Sequence, residues 1–243
     1  MGWLDREALL LGEDGIACLE KSRVAVLGLG GVGGAAAEAL CRAGVGHLFL
    51  LDGDVFDESN LNRQILATRP AIAKKKVDIA KERFLSINPS ADIEAACITY
   101  SAETRDTVFN WKPDYIVDAI DTVTAKVDLI KTALSLHISI ASSMGSGNRM
   151  HPEKLQVGTL EETKGYGDGL SRIMRKLLRD TNTEGLRVVY SMEEPLKVVA
   201  ENSPPGRHAP GSISFVPPVS GYLLAGEVIR TLLETVGEGE SRA

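Results

Sequence analysis

The chain has 243 residues, 44% of them hydrophobic and 25% charged, enough to bury a real core as one large domain or one domain with an extension. Its formal net charge of −6 provides no global field for nucleic acid, so a polyanionic partner needs a local basic patch. Cys18, Cys41 and Cys97 lie far apart with no CxxC pair, which argues against a disulfide framework or a cysteine zinc site and fits reduced thiols in a cytoplasmic protein.

Residues 4–20 read as a short amphipathic helix, with acids where a signal peptide would carry a basic start. RVAVLGL (23–29) is an apolar run of strand length ending in glycines. GGAAAEALCRAG (33–44) predicts a helix with a glycine stop at Gly44. HLFLLD is the next strand, and AKKKVDIAKERFLSIN (73–88) is a helix stopping before Pro89. ADIEAACIT reads as a strand, SAETRDTVFNW as a short helix capped by Ser101. DYIVDAID (strand), VTAKVDLIKTALSLH (helix) and ISIASSM (strand) follow. This alternation predicts an α/β fold: a doubly wound, mainly parallel Rossmann-like sheet with a C-terminal extension.

After Gly145 the chain turns glycine-rich and polar around a strand-like LQVGTL. Next come a basic helix, LSRIMRKLLRD, a strand, LRVVYS, and a loop marked by Pro204-Pro205-Gly206. GSISFVPP enters a last apolar helix, whose two prolines, Glu227 and Arg230 make it a poor membrane span, so no stable membrane insertion is expected.

Gly28, Gly30, Gly31 and Gly33 form GLGGVG between a strand and a helix. Such glycines permit a tight turn, close approach of backbone N–H groups to phosphate, and close helix packing. Asp52 follows at the spacing of about 20 residues expected of a ribose-binding acid. This much says nucleotide, not which one. Hydride transfer needs little beyond Asp52, yet the chain then clusters Asp54, Asn60, Asn62, Arg63 and Gln64, and supplies Lys76 and Asp121. Arginine and lysine suit phosphate oxygens, and an acid at a strand's carboxyl end suits Mg2+ bridging phosphates. The set describes ATP attacked at its α-phosphate. Asp54 as a turn cap, Asn62 as a turn former, Arg63 and Lys76 as surface residues, and Asp121 as a helix cap stay open. Asp118 reads as a polar-network residue, His137 and His151 as structural, and the three cysteines as packed.

GLGGVG, D-x-D-x-V-x-x-S-N-x-x-R-Q, a lysine opening KVDIAKERFLSINP, and D-A-I-D-T occur in order, and over roughly residues 6–145 the chain resembles the ubiquitin-activating-enzyme-like superfamily. Its bacterial members adenylate carboxylates. The resemblance implies that Asp52 binds ribose, that Asn60, Arg63, Gln64 and Lys76 surround the triphosphate, and that Asp121 holds magnesium. It also implies a homodimer in which Arg6 enters the partner subunit's ATP site. On this basis residues 1–145 form an ATP-binding adenylation unit with an N-terminal helix. Residues 146–243 form an extension within the same structural domain, completing the substrate site and the dimer.

Sulfur-carrier adenylyltransferases of that superfamily usually carry two CxxC zinc pairs and often a crossover-loop cysteine. This chain has no CxxC pair and no cysteine after Cys97. The double asparagine of SNLNRQ, the segment HPEKLQVGTLEETKGYGDGLSRIMRKLLR, VVYSMEEP and GSISFVPPVSGYLLAGEVI resemble instead the tRNA threonylcarbamoyladenosine dehydratase branch. That implies ATP activation of a threonine carboxylate, with ring closure by a carbamoyl oxygen of the same substrate. An intramolecular attacking group needs no enzyme nucleophile. Some members of the branch carry a cysteine where this chain has Val188.

A tRNA partner needs phosphate contacts. Arg172, Arg175, Lys176 and Arg179 fall at i, i+3, i+4 and i+7 of the basic helix, on one face, and Arg187, Lys197 and Arg207 follow. A monovalent cation in residues 145–169 and a cysteine desulfurase partner are further expectations of the resemblance. The rival readings are an adenylyltransferase acting on a small sulfur-carrier protein, a non-catalytic nucleotide-binding scaffold and, more distantly, a nicotinamide dehydrogenase.

Overall fold

The computed structural model describes residues 2–198 and 210–240, with side chains through Glu234. Pro204-Pro205-Gly206 and Arg207 lie outside the described residues. Seven strands form one sheet in the order β3-β2-β1-β4-β5-β7-β6. They are β1 (Arg23–Leu27), β2 (His47–Leu51), β3 (Asp92–Ala96), β4 (Tyr115–Asp118), β5 (Ser139–Ser143), β6 (Leu155–Gly158) and β7 (Leu186–Ser191). Every pairing is parallel except β6 with β7. The strand order reverses between β1 and β4, the place where doubly wound sheets open a ligand crevice.

Alternation along the strands builds two cores. Val24 and Val26 face one side with Leu48 and Leu50, under α2 (Gly33–Arg42), α3 (Lys76–Ile87) and α7 (Val216–Glu240). Ala25 and Leu27 face the other side with Phe49 and Ile116, under α5 (Val123–Ser135) and α6 (Gly169–Leu177). Each fully buried leucine contributes about 1.5–3 kcal/mol. The extension is part of this sheet. β7 pairs with β5, and α7 packs on α2 and on α1 (Asp5–Lys21).

Three local expectations need correction. α1 spans the expected range but is broken at Gly12, where φ is 71° and ψ 168°. α4 (Arg105–Phe109) begins after Thr104 rather than at Ser101. Ser101 instead donates its N–H to Thr104 Oγ1 at 2.8 Å, so it belongs to the preceding turn. α6 is capped by the Asp168 carboxylate, which accepts from Leu170 N and Ser171 N, and ends before Arg179. Arg179 is therefore not on the helix with the other three bases; it pairs with Asp180 at 3.1 Å.

Candidate active site

A crevice of about 700 Å³ opens at the carboxyl ends of β1, β2 and β4. Its floor is the glycine turn. Gly28 has φ 86°, and a Cβ there would lie 2.6 Å from the Ala119 carbonyl oxygen, so only glycine fits between β1 and the β4 turn. A Cβ on Gly33 would overlap the Gly28 carbonyl oxygen, and this keeps the first turn of α2 against the loop. Gly30 and Gly31 line the crevice; Gly33 supports it from beneath.

Asp52 follows β2 and is 8% exposed. Its Oδ2 accepts from Leu29 N at 2.6 Å and its Oδ1 from Asp54 N at 2.8 Å. Two charge-assisted hydrogen bonds thus fix an acid against the glycine turn, its remaining lone pairs toward the crevice. Asp54 is exposed, and its Oδ2 accepts from Lys76 Nζ at 2.8 Å; the same ammonium is 3.9 Å from Asp52 Oδ2. Lys76 is 5% exposed at the first position of α3, and its backbone N–H is tied to the Asp54 carbonyl. The approach to α3 passes through Ala73 at φ 65°, a left-handed alanine.

The polar run after Asp54 folds into a single 3-10 turn, Glu58–Asn60, with a capping box: Asp57 accepts from Ser59 N, and Asn60 Oδ1 accepts from Asp57 N. Asn60 lines the crevice with its oxygen engaged in that cap and its Nδ2 donating to Ser59 Oγ at 3.5 Å, which leaves its second amide N–H as a donor. Arg63 donates from Nη1 to the Ser59 carbonyl and to Asn62 Oδ1, both at 2.9 Å. Gln64 is buried in the crevice wall, its Oε1 without a hydrogen-bond partner among the described residues. An unpaired buried acceptor costs about 1–3 kcal/mol, so this atom suits a ligand donor. Asp121 lies just past β4 on the opposite lip, exposed, touched by the Thr122 hydroxyl at 3.3 Å. The far wall is Ser143–Gly147, Leu170 and Pro210, and Ile98, Thr99 and Tyr100 close the end near β3.

The structure thus gathers Gly28, Gly30, Gly31, Asp52, Asp54, Asn60, Arg63, Gln64, Lys76 and Asp121 around one cavity. Asn62 is outside it. Its Nδ2 donates to the Ser212 carbonyl at 3.0 Å, joining the loop to the approach to α7, and it lines a neighbouring cavity of about 400 Å³. Arg6 is exposed on α1 and absent from the crevice of its own chain. The basic face of α6 is thinner than its spacing implies. Arg172 and Lys176 are exposed, but the Arg175 guanidinium donates to Thr163 Oγ1. Arg187 lies in β7 and pairs with Glu227 of α7 at 2.7 Å rather than joining a loop patch. Val188 is fully buried in β7 and does not line the crevice. Cys41 is buried, which pushes its thiol up to about 11, and none of the cysteines lines the crevice.

Lys126 escaped the sequence reading. Its ammonium is wholly buried against Asp118 behind the crevice. A signal existed: a lysine sits within the apolar stripe of α5 formed by Ala125, Leu129, Ile130 and Ala133.

Four carboxylates, Asp52, Asp54, Asp57 and Asp121, line the cavity against two bases, Arg63 and Lys76. A triphosphate there meets excess negative charge unless a cation joins it. Among the described residues no cluster of three metal-ligating side chains exists. A magnesium ion carried by phosphates needs only one or two protein carboxylates, and Asp121 fits that requirement.

Residues 4–242 match the model of the ThiF family. The tRNA threonylcarbamoyladenosine dehydratase of Bacillus subtilis is 37% identical over 95% of this chain and 94% of its own length. The enzyme of that name from Escherichia coli is 33% identical over 71% of this chain and 63% of its own length. The structure of E. coli tRNA N6-threonylcarbamoyladenosine dehydratase in complex with ATP superposes with TM-score 0.85 at 28% identity, covering 95% of this chain and 93% of that one. The AMP complex gives 0.86 at 26%, covering 95% and 94%. With glycine turn, acids and lysine on one crevice and the match running nearly end to end, the chain belongs to the ThiF family.

Proposed function

We propose that this protein is an ATP-dependent tRNA threonylcarbamoyladenosine dehydratase. The observation that carries the reading is the crevice itself: Lys76 pinned between Asp52 and Asp54, facing Asp121 across a cavity large enough for ATP and a second ligand. The named relatives and the ATP-bound neighbour support it.

In this mechanism Asp52 accepts from the ribose hydroxyls, and backbone N–H groups of the glycine turn meet phosphate. Gln64 Oε1 accepts a donor from the bound ligands. Asn60 donates its amide, and Arg63 and Lys76 stabilise charge that grows on the α-phosphate oxygens. Asp121 would hold a magnesium ion, which would supply charge neutralisation for the phosphates. A carboxylate oxygen of the threonyl group attacks the α-phosphorus and pyrophosphate leaves. The carbamoyl oxygen then attacks the activated carbonyl carbon, AMP departs with the former carboxylate oxygen, and the nitrogen loses a proton. The ring closes with net loss of one water. No enzyme thiol is used, consistent with cysteines that avoid the crevice. A desulfurase would therefore act outside this chemistry, and a monovalent cation near 145–169 would serve the wall, not the transfer.

Arg172 and Lys176, exposed on α6, are the proposed tRNA phosphate contacts, with Lys197 following β7 in the chain. Arg175 and Arg179 contribute less because each already has a partner. The homodimer is part of the proposal. α1 presents Leu9 and Leu10 at 85% exposure, and Arg6 on the same helix, absent from its own chain's crevice, would enter another copy's. Arg6 would also offset the crevice's excess of acids.

The test is nucleoside mass spectrometry. Threonylcarbamoyl-containing tRNA is incubated with the protein and Mg-ATP, digested gently, and AMP is measured in the same tube. A nucleoside lighter by one water with matching AMP is the expected result. AMP without that nucleoside would transfer the reading to a carrier-protein carboxylate. ATP binding with neither product would leave a scaffold.

A further inference from the structure

Behind the crevice lies an ion pair to which the mechanism assigns no role. The side chains of Lys126 on α5 and Asp118 at the end of β4 are both 0% exposed. Lys126 Nζ donates to Asp118 Oδ2 at 2.7 Å, to Ser142 Oγ at 3.0 Å and to the Ser143 carbonyl at 3.1 Å. All three ammonium donors are thereby used. The Ser142 hydroxyl donates to Asp118 Oδ2 at 2.7 Å, and Asp118 Oδ1 accepts from Ile120 N at 3.1 Å.

Stability does not account for this pair. Taking two charges out of water roughly cancels their attraction, and apolar packing would serve the fold as well. Its placement is more informative. Asp118 and Ser142 are the last residues that pair β4 with β5. Beyond them the chains separate into the two lips of the crevice, the Asp121 turn and the Ser143–Gly147 wall. The network grips each lip by one backbone atom: Ile120 N, one residue before Asp121, and the Ser143 carbonyl.

We propose that the Lys126–Asp118 pair is a clamp that sets the distance between the Asp121 turn and the Ser143–Gly147 wall. Lys126 is then a positioning residue for attack of the carboxylate on the α-phosphorus, the step that transfers the adenylyl group and releases pyrophosphate. It touches neither substrate, and its kinetic role rests on the function proposed above. Misplacing reacting groups by about 1 Å costs on the order of 100-fold in rate, which gives such a clamp something to protect.

Two variants of the full chain test it. Ser142→Ala removes one hydroxyl and keeps the ion pair. Asp118→Asn with Lys126→Met removes both charges; the introduced carboxamide can still accept from Ile120 N, but the Ser143 carbonyl loses its lysine donor. Amide hydrogen exchange reads the two lips, and steady-state AMP formation on threonylcarbamoyl-tRNA reads the chemistry. In the folded double variant, exchange across 143–147 should rise about tenfold or more, and kcat should fall about 10–100-fold with KM for ATP changed less than about threefold. Ser142→Ala should shift both readouts in the same direction by a smaller factor. A folded double variant with wild-type exchange at 143–147 and wild-type kcat would overturn the clamp. If the double variant does not fold, Ser142→Ala decides: the same local exchange increase supports the clamp, and its absence overturns it. If the wild-type protein itself makes no AMP, the proposed function fails, and the exchange measurement alone judges the clamp.

Discussion

The two walls of the crevice are built by different rules. The first, from Gly28 to Lys76, is held by bonds between residues close to the strand ends: Leu29 N to Asp52, Asp54 N to Asp52, Lys76 N to the Asp54 carbonyl. The second, Ser143–Gly147, is held from behind, by side chains that do not line the cavity. Gly145 N donates to Asp168 at 3.2 Å, and the Ser143 carbonyl accepts from Lys126. Nearby, Asn148 exchanges hydrogen bonds with Gly211, its Oδ1 accepting at 2.6 Å. The first wall ties its own lining residues to one another, as the fixed demands of phosphate chemistry require. The second takes its position from side chains, Lys126 and Asp168, that lie outside the cavity.

That contrast can be broken first at Gly33. A Cβ there overlaps the Gly28 carbonyl oxygen, so Gly33→Ala should cost about 3 kcal/mol or more, seen as a lower urea midpoint with lost ATP binding. A stable, ATP-binding variant would mean that the turn tolerates local change after all. Next is Asp121→Ala, which should keep the melting temperature and reduce AMP formation by at least about 100-fold. Retained activity would remove the metal assignment.

The second wall's side should respond by partner instead. Arg172→Glu with Lys176→Glu should weaken tRNA binding about tenfold at physiological salt and flatten the salt slope by about 2, leaving ATP affinity alone. Arg179→Glu should do much less, since Asp180 already occupies that arginine. Equal losses from both would reinstate a uniform basic face.

A smaller effect sits just behind the first wall. Burial raises the Glu38 carboxyl, but hydrogen bonds and charge from Arg83 and Arg42 outweigh it and hold the group below its ordinary value of 4.5. Because the folded value is depressed, this stabilisation is present above the ordinary value and disappears as pH falls through the folded one. Glu38→Gln should therefore cost about 1 kcal/mol at neutral pH and flatten the acid limb of the stability curve. An unchanged acid limb would show that Glu38 is not among the groups that titrate on acid unfolding. The smallest effect is expected at Ala73, where φ is 65°. Ala73→Gly should stabilise by about 0.5 kcal/mol, the left-handed penalty exceeding glycine's entropy cost. A loss of stability would mean that the approach to Lys76 is not strained.

The sequence by itself determined the sheet up to β5, the glycine turn and the acid that follows it, because each rests on a local pattern: apolar runs of strand length, glycines between strand and helix, an acid at fixed spacing. It also supplied Arg63, Gln64, Lys76 and Asp121, as residue types suited to phosphate. Only the tertiary structure decided which side chains remained available. Asn62 went to the Ser212 carbonyl, Arg175 to Thr163, and Arg187 to Glu227. Only the tertiary structure, too, placed the Lys126 ammonium against Asp118, Ser142 and Ser143. The reason is physical. A backbone pattern constrains φ, ψ and burial along a few residues, whereas a long charged side chain takes whichever partner the fold brings within reach, often one that is far away in sequence.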